Sequence, residues 1–234
     1  MKIGIAGYGM VGKAHYELLK DRHDVVISDP PLEMHADFAD VDCIIVCVAT
    51  PQGSHGGCHM DNVFKVIESA PPVPILIKST ISAEGWDMLK HMFPMHNINF
   101  SPEFLRAATA VEDLKNTTLM LIGGDDICFW RDVFGVNIEI ADPKELILAK
   151  YARNSFLALK VAFFNQMYDL CDALDVEYSA VAHYTTIDER IGDSHSFISD
   201  ERGFGGHCFP KDTSALVTTA QHNNVEMSIL KEAI

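Results

Sequence analysis

Apolar and polar positions follow two different patterns along the first 141 residues. Short apolar runs predict buried strands, and apolar residues three or four positions apart predict amphipathic helices. The strands are predicted in KIGIAG, DVVISD, VDCIIVCVATP, PVPILIKST, NINFSPEF, NTTLMLIGG and VNIEIAD, and the helices in MVGKAHYELLKDRH and around residues 62–69 and 84–91. Six or seven strands that alternate with helices predict an α/β fold with a doubly wound, mostly parallel sheet.

A longer helical pattern begins at Asp142. Residues 142–174 keep apolar side chains at helical spacing and contain no proline or glycine after Pro143. Asp142 suits the N-cap, Pro143 suits the first turn, and Glu145 follows three residues after the cap. About 32 residues at 1.5 Å each make a helix about 48 Å long, which exceeds the diameter of a small domain. We therefore expect this helix to pack against another copy of the chain or against a missing neighbour.

These patterns predict two domains, and the net charge of the chain disfavours some classes of binding partner. Residues 1–141 form the sheet domain, and residues 142–234 form a small all-helical domain that we expect to mediate dimerisation. The net charge of −15 disfavours nucleic acids and anionic membranes. The N-terminus lacks the features of a secretory leader, no run is long enough to span a membrane, and scattered cysteines are typical of reduced thiols. We therefore expect a cytoplasmic protein.

The segment TPQGSHGGCHMD places His55, Cys58 and His59 together, with Cys47 upstream. Such a group raises the possibility of a zinc site. The spacing matches no standard ligand pattern, and Cys47 lies within a predicted strand. A loop without metal is the favoured interpretation.

The turn after the first predicted strand has the spacing G-x-G-x-x-G, with Gly7, Gly9 and Gly12. It opens a helix, and Asp29 ends the next strand, 20 residues after Gly9. In a Rossmann domain Gly7 allows the turn, Gly9 lets the backbone approach a pyrophosphate, and Gly12 allows close helix packing. Asp29 would bind the ribose hydroxyls and repel a 2′-phosphate, so we predict NAD rather than NADP. The alternative is that the glycines only turn a strand into a helix.

Several polar residues occupy positions where ligands bind in open α/β sheets, outside the carboxyl ends of the strands. Thr80 and Glu103 follow two predicted strands, and Lys150 and Asn154 share one face of the long helix. The glycine-rich stretch GFGGHCFPKD, read as a tight loop, delivers Cys208. Taken singly, each of these residues has a structural interpretation as well as a functional one.

Together these residues resemble the UDP-glucose 6-dehydrogenases of the UDP-glucose/GDP-mannose dehydrogenase family. The resemblance extends over essentially the whole chain. It is carried by GYGMVG, VATP, KST, SPEFLR, KYARNSFLALKVAFFNQ, DERIG and GFGGHCFPKDT. The last motif is the most specific, because G-x-G-G-x-C-x-P-K-D marks the catalytic cysteine of the family, and FPKD favours the UDP-glucose branch.

The resemblance implies a four-electron oxidation of the C6 alcohol of UDP-glucose to UDP-glucuronate, with two NAD and one water, as used in nucleotide-sugar metabolism and polysaccharide biosynthesis. It implies that the Cys208 thiolate captures an aldehyde, that Lys150 and Asn154 stabilise oxyanions, and that Asp212, Glu103 and Thr80 assist proton transfer and hydrolysis. The implied cofactor-binding residues are Gly7, Tyr8, Gly9, Met10, Val11, Gly12, Asp29, Thr50, Pro51, Thr80 and Lys211. The implied substrate-binding residues are Phe104, Leu105, Arg106, Lys150, Asn154, Arg190, Gly203 and Gly205, with Arg190 reaching across a homodimer.

The sequence also departs from the family pattern. Ala107 stands where a second glutamate is usual, the segment DSHSFISDER is about two residues longer than usual, and His207 precedes the cysteine. Family members continue into a UDP-binding domain, which we expect to be absent from this chain or supplied by another polypeptide.

Two other functions therefore stay open. One is a β-hydroxyacid dehydrogenase-like enzyme that transfers a single hydride and needs no thiol. The other is a non-catalytic NAD-binding dimer, or one subunit of a split enzyme.

Overall fold

A computed structural model describes residues 1–54, 56–200, 202–206 and 208–234, with the backbone alone at residue 127. The chain divides into two compact units. The first unit contains Met1–Gly53 and Cys58–Lys150, and the second contains Ser54–Gly57 and Tyr151–Ile234. The domain boundary predicted at residue 142 stays a prediction.

Within the described residues, eight strands of the first unit form one sheet in the order β3-β2-β1-β4-β5-β6-β7-β8. The strands are β1 Lys2–Ala6, β2 Asp24–Asp29, β3 Met34–His35, β4 Cys43–Val46, β5 Ile75–Ile77, β6 Ile98–Phe100, β7 Leu119–Gly124 and β8 Asn137–Ile140. All neighbours are parallel except β2 with β3 and β6 with β7. The prediction of a mostly parallel, doubly wound sheet is confirmed.

The helices of this unit are α1 Met10–Leu19, α2 Asp61–Glu68, α3 Ala83–Met92, α4 Ala110–Lys115, α5 Ile127–Phe134 and the start of α6 Pro143–Ala173, with a 3-10 turn at Pro30–Leu32. The sequence interpretation missed β3, α4 and α5. The periodicity of β3 and α4 cannot be read, because these elements have only two and six residues. The segments predicted at 62–69 and 84–91 match α2 and α3 to within a residue at each end.

The core of the first unit lies on both faces of the central strands. Every residue of β4, β5 and β6 is buried, so these strands read as continuous apolar runs rather than as alternating patterns. Trp130 and Phe134 of α5 lie against this sheet in the same apolar cluster, at 0% and 1% exposure. The buried strands hold their carboxyl ends, and the polar residues that follow them, in fixed places.

The regular secondary structure in the described part of the second unit is helical. It contains the rest of α6, then α7 Tyr178–Thr186, α8 Phe209–His222 and α9 Ser228–Ala233. The predicted long helix is confirmed, since α6 has 31 residues and begins as expected: Asp142 Oδ1 accepts a hydrogen bond from the Lys144 N–H at 2.8 Å. In the described part of the chain no helix combines the length and the hydropathy that a bilayer crossing requires.

Candidate active site

The turn between β1 and α1 can be built only with glycine at two positions. Gly7 has φ +93°, and a Cβ atom there would lie 2.6 Å from the carbonyl oxygen of Cys47. A Cβ atom on Gly12 would lie 2.0 Å from the Gly7 carbonyl oxygen. These contacts are shorter than any real Cβ atom makes, so the missing side chains allow α1 to begin close to β1.

Gly9 differs from the other two glycines because no heavy atom lies within 4 Å of the position of its Cβ. It is the N-cap of α1, whose first turn contains Met10 and Val11. The N–H groups at a helix N-terminus have no partners within the helix, and they attract negative charge. The space beside Gly9 is therefore a cradle for the pyrophosphate of a dinucleotide.

Asp29 lies at the end of β2, beside this turn. Its Oδ2 accepts a hydrogen bond from the Tyr8 N–H at 2.6 Å, and the Gly7 N–H donates to the Ser28 carbonyl at 2.8 Å. The carboxylate is thus held next to the cradle, where it can accept from ribose hydroxyls. These residues fit NAD. The expected preference over NADP stays a prediction.

Thr50 and Pro51 follow β4 at the same edge of the sheet. Thr50 is buried, and Pro51 closes a loop by accepting the His59 N–H on its carbonyl oxygen at 2.8 Å. Among the described residues no group of three or more His, Cys, Asp and Glu could hold a metal ion. His55 and His207, which figured in the sequence interpretation, lie outside the described residues.

Beyond β5 and β6, a buried lysine meets the predicted glutamate. Lys78 Nζ lies 3.3 Å from Glu103 Oε2, with side-chain exposures of 2% and 8%, and it donates to Ser101 Oγ at 2.9 Å. The sequence interpretation named Glu103 and Thr80 but missed Lys78. A charged residue directly after the apolar run ILI was the available signal. Thr80 is half-buried, two residues further along the chain.

The charges around Glu103 decide its protonation. Burial raises the pKa of this carboxyl, but the positive charges of Lys78 and Lys150 outweigh burial, and the pKa lies below its ordinary value. His15 of α1 adds to this only in acid, because burial lowers the pKa of His15 to about 4. Glu103 is therefore a carboxylate at neutral pH. Lys150 is itself buried in α6.

The second unit holds the candidate nucleophile at the start of α8. Cys208 is exposed and is the N-cap of this helix, and Asp212 lies one turn later at 1% exposure. The Asp212 carboxylate accepts from Asn154 Nδ2 at 2.6 Å and pairs with Lys211 Nζ at 2.8 Å. Four residues predicted to be near the substrate or cofactor are thus brought together.

The prediction of a loop over residues 203–212 is wrong for its last four residues. Residues from Phe209 onward are helical, with Pro210 in the first turn. Proline is favoured there because the first N–H groups of a helix need no partner, and an aspartate in the first turn complements the helix dipole. The glycines belong to the preceding turn: Gly203 and Gly206 have φ +62° and +81°, and Cβ atoms on Gly203 or Gly205 would meet no atom within 4 Å.

A clip that the sequence interpretation missed fastens the start of this turn to α6. Arg202 Nε donates to Asn165 Oδ1 at 2.9 Å, the Gly203 N–H donates to the same oxygen at 3.2 Å, and the guanidinium lies 4.7 Å from the centre of the Tyr168 ring. The available sequence signal was an asparagine directly after the apolar run in KVAFFNQ. These contacts hold the start of the glycine turn against α6.

The predicted substrate-binding arginines have partners within the chain. Arg106 donates to both oxygens of Asp113, at 3.1 and 2.6 Å, and this pairing holds the pKa of Asp113 well below its usual range. Arg190 donates from Nε to Asp188 Oδ1 at 3.0 Å and is 89% exposed. Phe104 and Leu105 are half-buried. The roles of these residues toward a substrate stay predictions.

Two family models match the chain in sequence order. Residues 29–128 match the NAD binding domain of the UDP-glucose/GDP-mannose dehydrogenase family, and residues 145–234 match its central domain. The chain belongs to the UDP-glucose/GDP-mannose dehydrogenase family. NAD is accordingly the cofactor of the first unit, in agreement with the glycine cradle and Asp29.

Individual relatives agree with the family. A UDP-glucose 6-dehydrogenase of Rickettsia typhi is 31% identical over 216 residues, which cover 85% of this chain and 49% of the relative. One from Bacillus subtilis is 29% identical, covering 84% of this chain and 48% of the relative. The chain spans about half the length of the curated relatives it matches.

Solved structures show the same fold. A UDP-glucose dehydrogenase from Pyrobaculum islandicum superposes with a TM-score of 0.87 at 25% identity, covering 99% of this chain and 66% of that one. A 3-hydroxyisobutyrate dehydrogenase from Mycobacterium tuberculosis reaches 0.73 at 16% identity, covering 99% and 90%. The second likeness shows the fold alone. The fold is therefore shared by proteins with different names, and it does not by itself indicate a substrate.

Proposed function

We propose that this chain is the NAD-binding and thiol-bearing part of a nucleotide-sugar dehydrogenase that oxidises the C6 alcohol of UDP-glucose to the carboxylate. One observation carries the proposal. An exposed cysteine, Cys208, caps a helix whose first turn contains Asp212, and Asp212 is hydrogen-bonded to Asn154 of α6. A dehydrogenase that transfers a single hydride has no use for such a thiol.

The first unit supplies the cofactor site. NAD, when bound, accepts the hydride that leaves the sugar carbon in each of the two oxidations. Gly9 leaves room for the pyrophosphate, and Asp29, held by the Tyr8 N–H, would accept hydrogen bonds from the ribose hydroxyls. The buried strands hold Thr80 and Glu103 beyond their carboxyl ends, where open α/β sheets bind ligands.

The second unit supplies the nucleophile. After the first oxidation yields an aldehyde, the Cys208 thiolate adds to the carbonyl carbon, the carbonyl oxygen takes a proton, and a thiohemiacetal forms. Loss of a hydride and of the hydroxyl proton converts this adduct into a thioester. Water then attacks the thioester carbon, the sulfur leaves as thiolate, and the acid is released.

The remaining polar residues receive their roles from this sequence of steps. The Lys150 ammonium stabilises the negative oxygen that develops at C6, and Asn154 aids it through an amide that Asp212 orients at 2.6 Å. Asp212 also pairs with Lys211. Glu103, ionised at neutral pH, accepts a hydrogen bond from the water or hydroxyl that loses a proton. Thr80 lies two residues after Lys78, the ion-pair partner of Glu103.

A second candidate has one observation in its favour. Lys150 and Asn154 lie one turn apart on α6, the spacing at which β-hydroxyacid dehydrogenases also carry a lysine and an asparagine. A single-hydride oxidation of a β-hydroxyacid would use the same cofactor site and a lysine at the position of Lys150. In that case Cys208 would have no chemical role.

The deciding experiment incubates the purified chain with UDP-glucose and NAD and counts NADH. We expect two NADH for each UDP-glucuronate formed, because the thioester route removes four electrons. One NADH per substrate, obtained only with a β-hydroxyacid, would support the second candidate. Tight NAD binding without turnover of any nucleotide sugar would indicate a non-catalytic module or one half of a split enzyme.

The proposal includes a cytoplasmic homodimer formed through α6. Large apolar side chains are exposed at heptad-like spacing along this helix: Phe156 at 68%, Phe163 at 54% and Leu170 at 50%, followed by Leu174 at 64%. Exposed apolar stripes of this kind mark protein interfaces. In the proposed dimer Arg190 releases Asp188 and binds the substrate of the neighbouring subunit.

Light scattering at micromolar concentration should give twice the chain mass of 25.9 kDa. Phe163→Asp should shift the mass to that of a monomer, because a charge in the apolar stripe opposes association. The exposed Met95, 91% accessible and outside α6, provides a control in Met95→Asp, which should remain dimeric. A wild-type monomer would remove the role given to Arg190.

A further inference from the structure

We propose that Lys78 is a positioning residue that holds Glu103 as an oriented carboxylate, so that Glu103 accepts a hydrogen bond from a reacting hydroxyl or water and donates none. This inference rests on the proposed function, since it refines the part that Glu103 plays in it. It assigns to Lys78 a role that neither the motif KST nor the family match specifies.

The geometry around Lys78 is built from two adjacent strands. In the register of β5 with β6, Ile77 pairs with Phe100, so Lys78 leaves the sheet beside Ser101. Its Nζ donates to Ser101 Oγ at 2.9 Å and to the Pro102 carbonyl at 3.4 Å, and lies 3.3 Å from Glu103 Oε2. One ammonium thus holds three consecutive residues of the SPE segment.

The two carboxylate oxygens of Glu103 have different surroundings. Oε1 accepts the Phe104 N–H at 2.9 Å. Oε2 is buried and lies within ion-pair distance of Lys78, but it accepts no hydrogen bond from any described residue. A buried acceptor left in this state is costly unless a ligand or water donates to it. Oε2 is therefore the atom that receives a hydroxyl.

The groups facing Glu103 come from four elements. Lys78 follows β5, and Lys150 comes from α6; both are buried cations. From α1, His15 donates its Nδ1–H to the Val11 carbonyl at 2.9 Å, which leaves Nε2 as a bare lone pair. Beyond β4, burial raises the pKa of the Cys47 thiol, which stays protonated. At neutral pH Glu103 therefore faces two cations and two neutral groups.

Removal of Lys78 would raise the pKa of Glu103. Burial, which raises the pKa of the carboxyl, would remain, and the positive charge that opposes burial most strongly would be lost. Glu103 would then hold its proton to higher pH and would donate from the oxygen that should accept. The rotation of the carboxyl would also be less restricted, because among the described residues the Phe104 N–H would be its remaining hydrogen-bond donor.

The first test uses turnover of UDP-glucose by the full chain. Lys78→Met should lower kcat at least about a hundredfold, leave the KM for NAD within about threefold, and move the acid limb of kcat/KM upward by about one pH unit. Lys78→Arg, which keeps the charge, should restore the pH profile. Lys115→Met, at an exposed lysine of α4, should match wild type in all three quantities. An unshifted acid limb in active Lys78→Met overturns the inference.

The second test needs no turnover and so separates this inference from the proposed function. Urea unfolding is measured at pH 7 for Lys78→Met, Glu103→Gln and the double variant. Each single change leaves a buried group unpaired, and the double change removes both groups. The double variant should therefore be more stable than the two single losses together predict, by at least about tenfold in the unfolding equilibrium constant. If Lys78→Met does not fold, folding of the double variant Lys78→Met/Glu103→Gln replaces the cycle, because Glu103→Gln removes the buried charge that Lys78→Met leaves unpaired. A double variant that also stays unfolded would count against the inference.

Additive effects in this cycle overturn the inference, whatever the activity. Coupled effects in a chain that turns over no nucleotide sugar support the Lys78–Glu103 arrangement and count against the proposed function instead. The sign of the pH dependence gives a further check. A carboxyl whose pKa is lowered on folding stabilises the native state above its unfolded pKa of about 4.3, and this contribution is lost as the pH falls. The coupling should therefore fade in acid.

Discussion

Cys208→Ser should stop the formation of UDP-glucuronate, reducing its rate by at least about a thousandfold. Serine has nearly the size of cysteine, so α8 keeps its N-cap, and Asp212 keeps its partners. The hydroxyl, however, is a poor nucleophile without an adjacent base, and it would not capture the aldehyde. The reaction should therefore end after one oxidation, and more than two NADH should form for each uronate.

Intact-mass spectrometry of an acid-quenched reaction is the direct measurement. The wild-type chain should show a fraction shifted by the mass of the bound sugar nucleotide, and Cys208→Ser should show none. Cys128→Ser is the matched control, because Cys128 is the other exposed cysteine and lies in α5 of the first unit. It should retain both the adduct and the rate. Full uronate formation by Cys208→Ser would refute the thioester route.

The glycines of the cofactor turn should separate folding from binding. Gly9→Ala should leave stability within about 1 kcal/mol of wild type, because its Cβ would enter open space. The same Cβ would occupy the place of the pyrophosphate, so NAD affinity should fall at least about a hundredfold. Gly12→Ala should instead cost about 3 kcal/mol of stability, since its Cβ would lie 2.0 Å from a backbone oxygen that cannot move freely.

Urea unfolding and calorimetric titration with NAD measure the two effects on the same preparations. Each variant controls for the other, because both add one methyl group to the same turn. Wild-type NAD affinity in Gly9→Ala would show that the pyrophosphate lies elsewhere. Equal loss of stability in both variants would show that the turn is not built as the structure has it.

The parts of the molecule that could be predicted are those coded by neighbouring residues. Gly7, Gly9 and Gly12 lie within six residues of each other, and Asp29 ends the next strand. The strand, turn and helix that join them are local, so the spacing of these residues is enough to predict a cradle. The same holds for α6, where Asp142, Pro143 and a sustained helical period marked both the start and the length.

The start of α8 shows how a local pattern can mislead. Glycines up to Gly206 and the proline at 210 are typical of a loop, but proline also suits the first turn of a helix. Only the backbone of Phe209 onward decides between these two conformations. The outcome matters for function, because it turns Cys208 from a loop thiol into a helix cap.

Contacts between distant polar residues were beyond prediction. Lys78 meets Glu103 from 25 positions away, Asn154 meets Asp212 from 58, and Asn165 meets Arg202 from 37. Periodicity shows which face a side chain takes, but it does not show which polar group from another element arrives opposite it. That choice depends on strand register and helix packing, which come from the burial of the whole apolar core. The sequence therefore identified the types of residue in the site, and only the tertiary structure decided which of them contact each other.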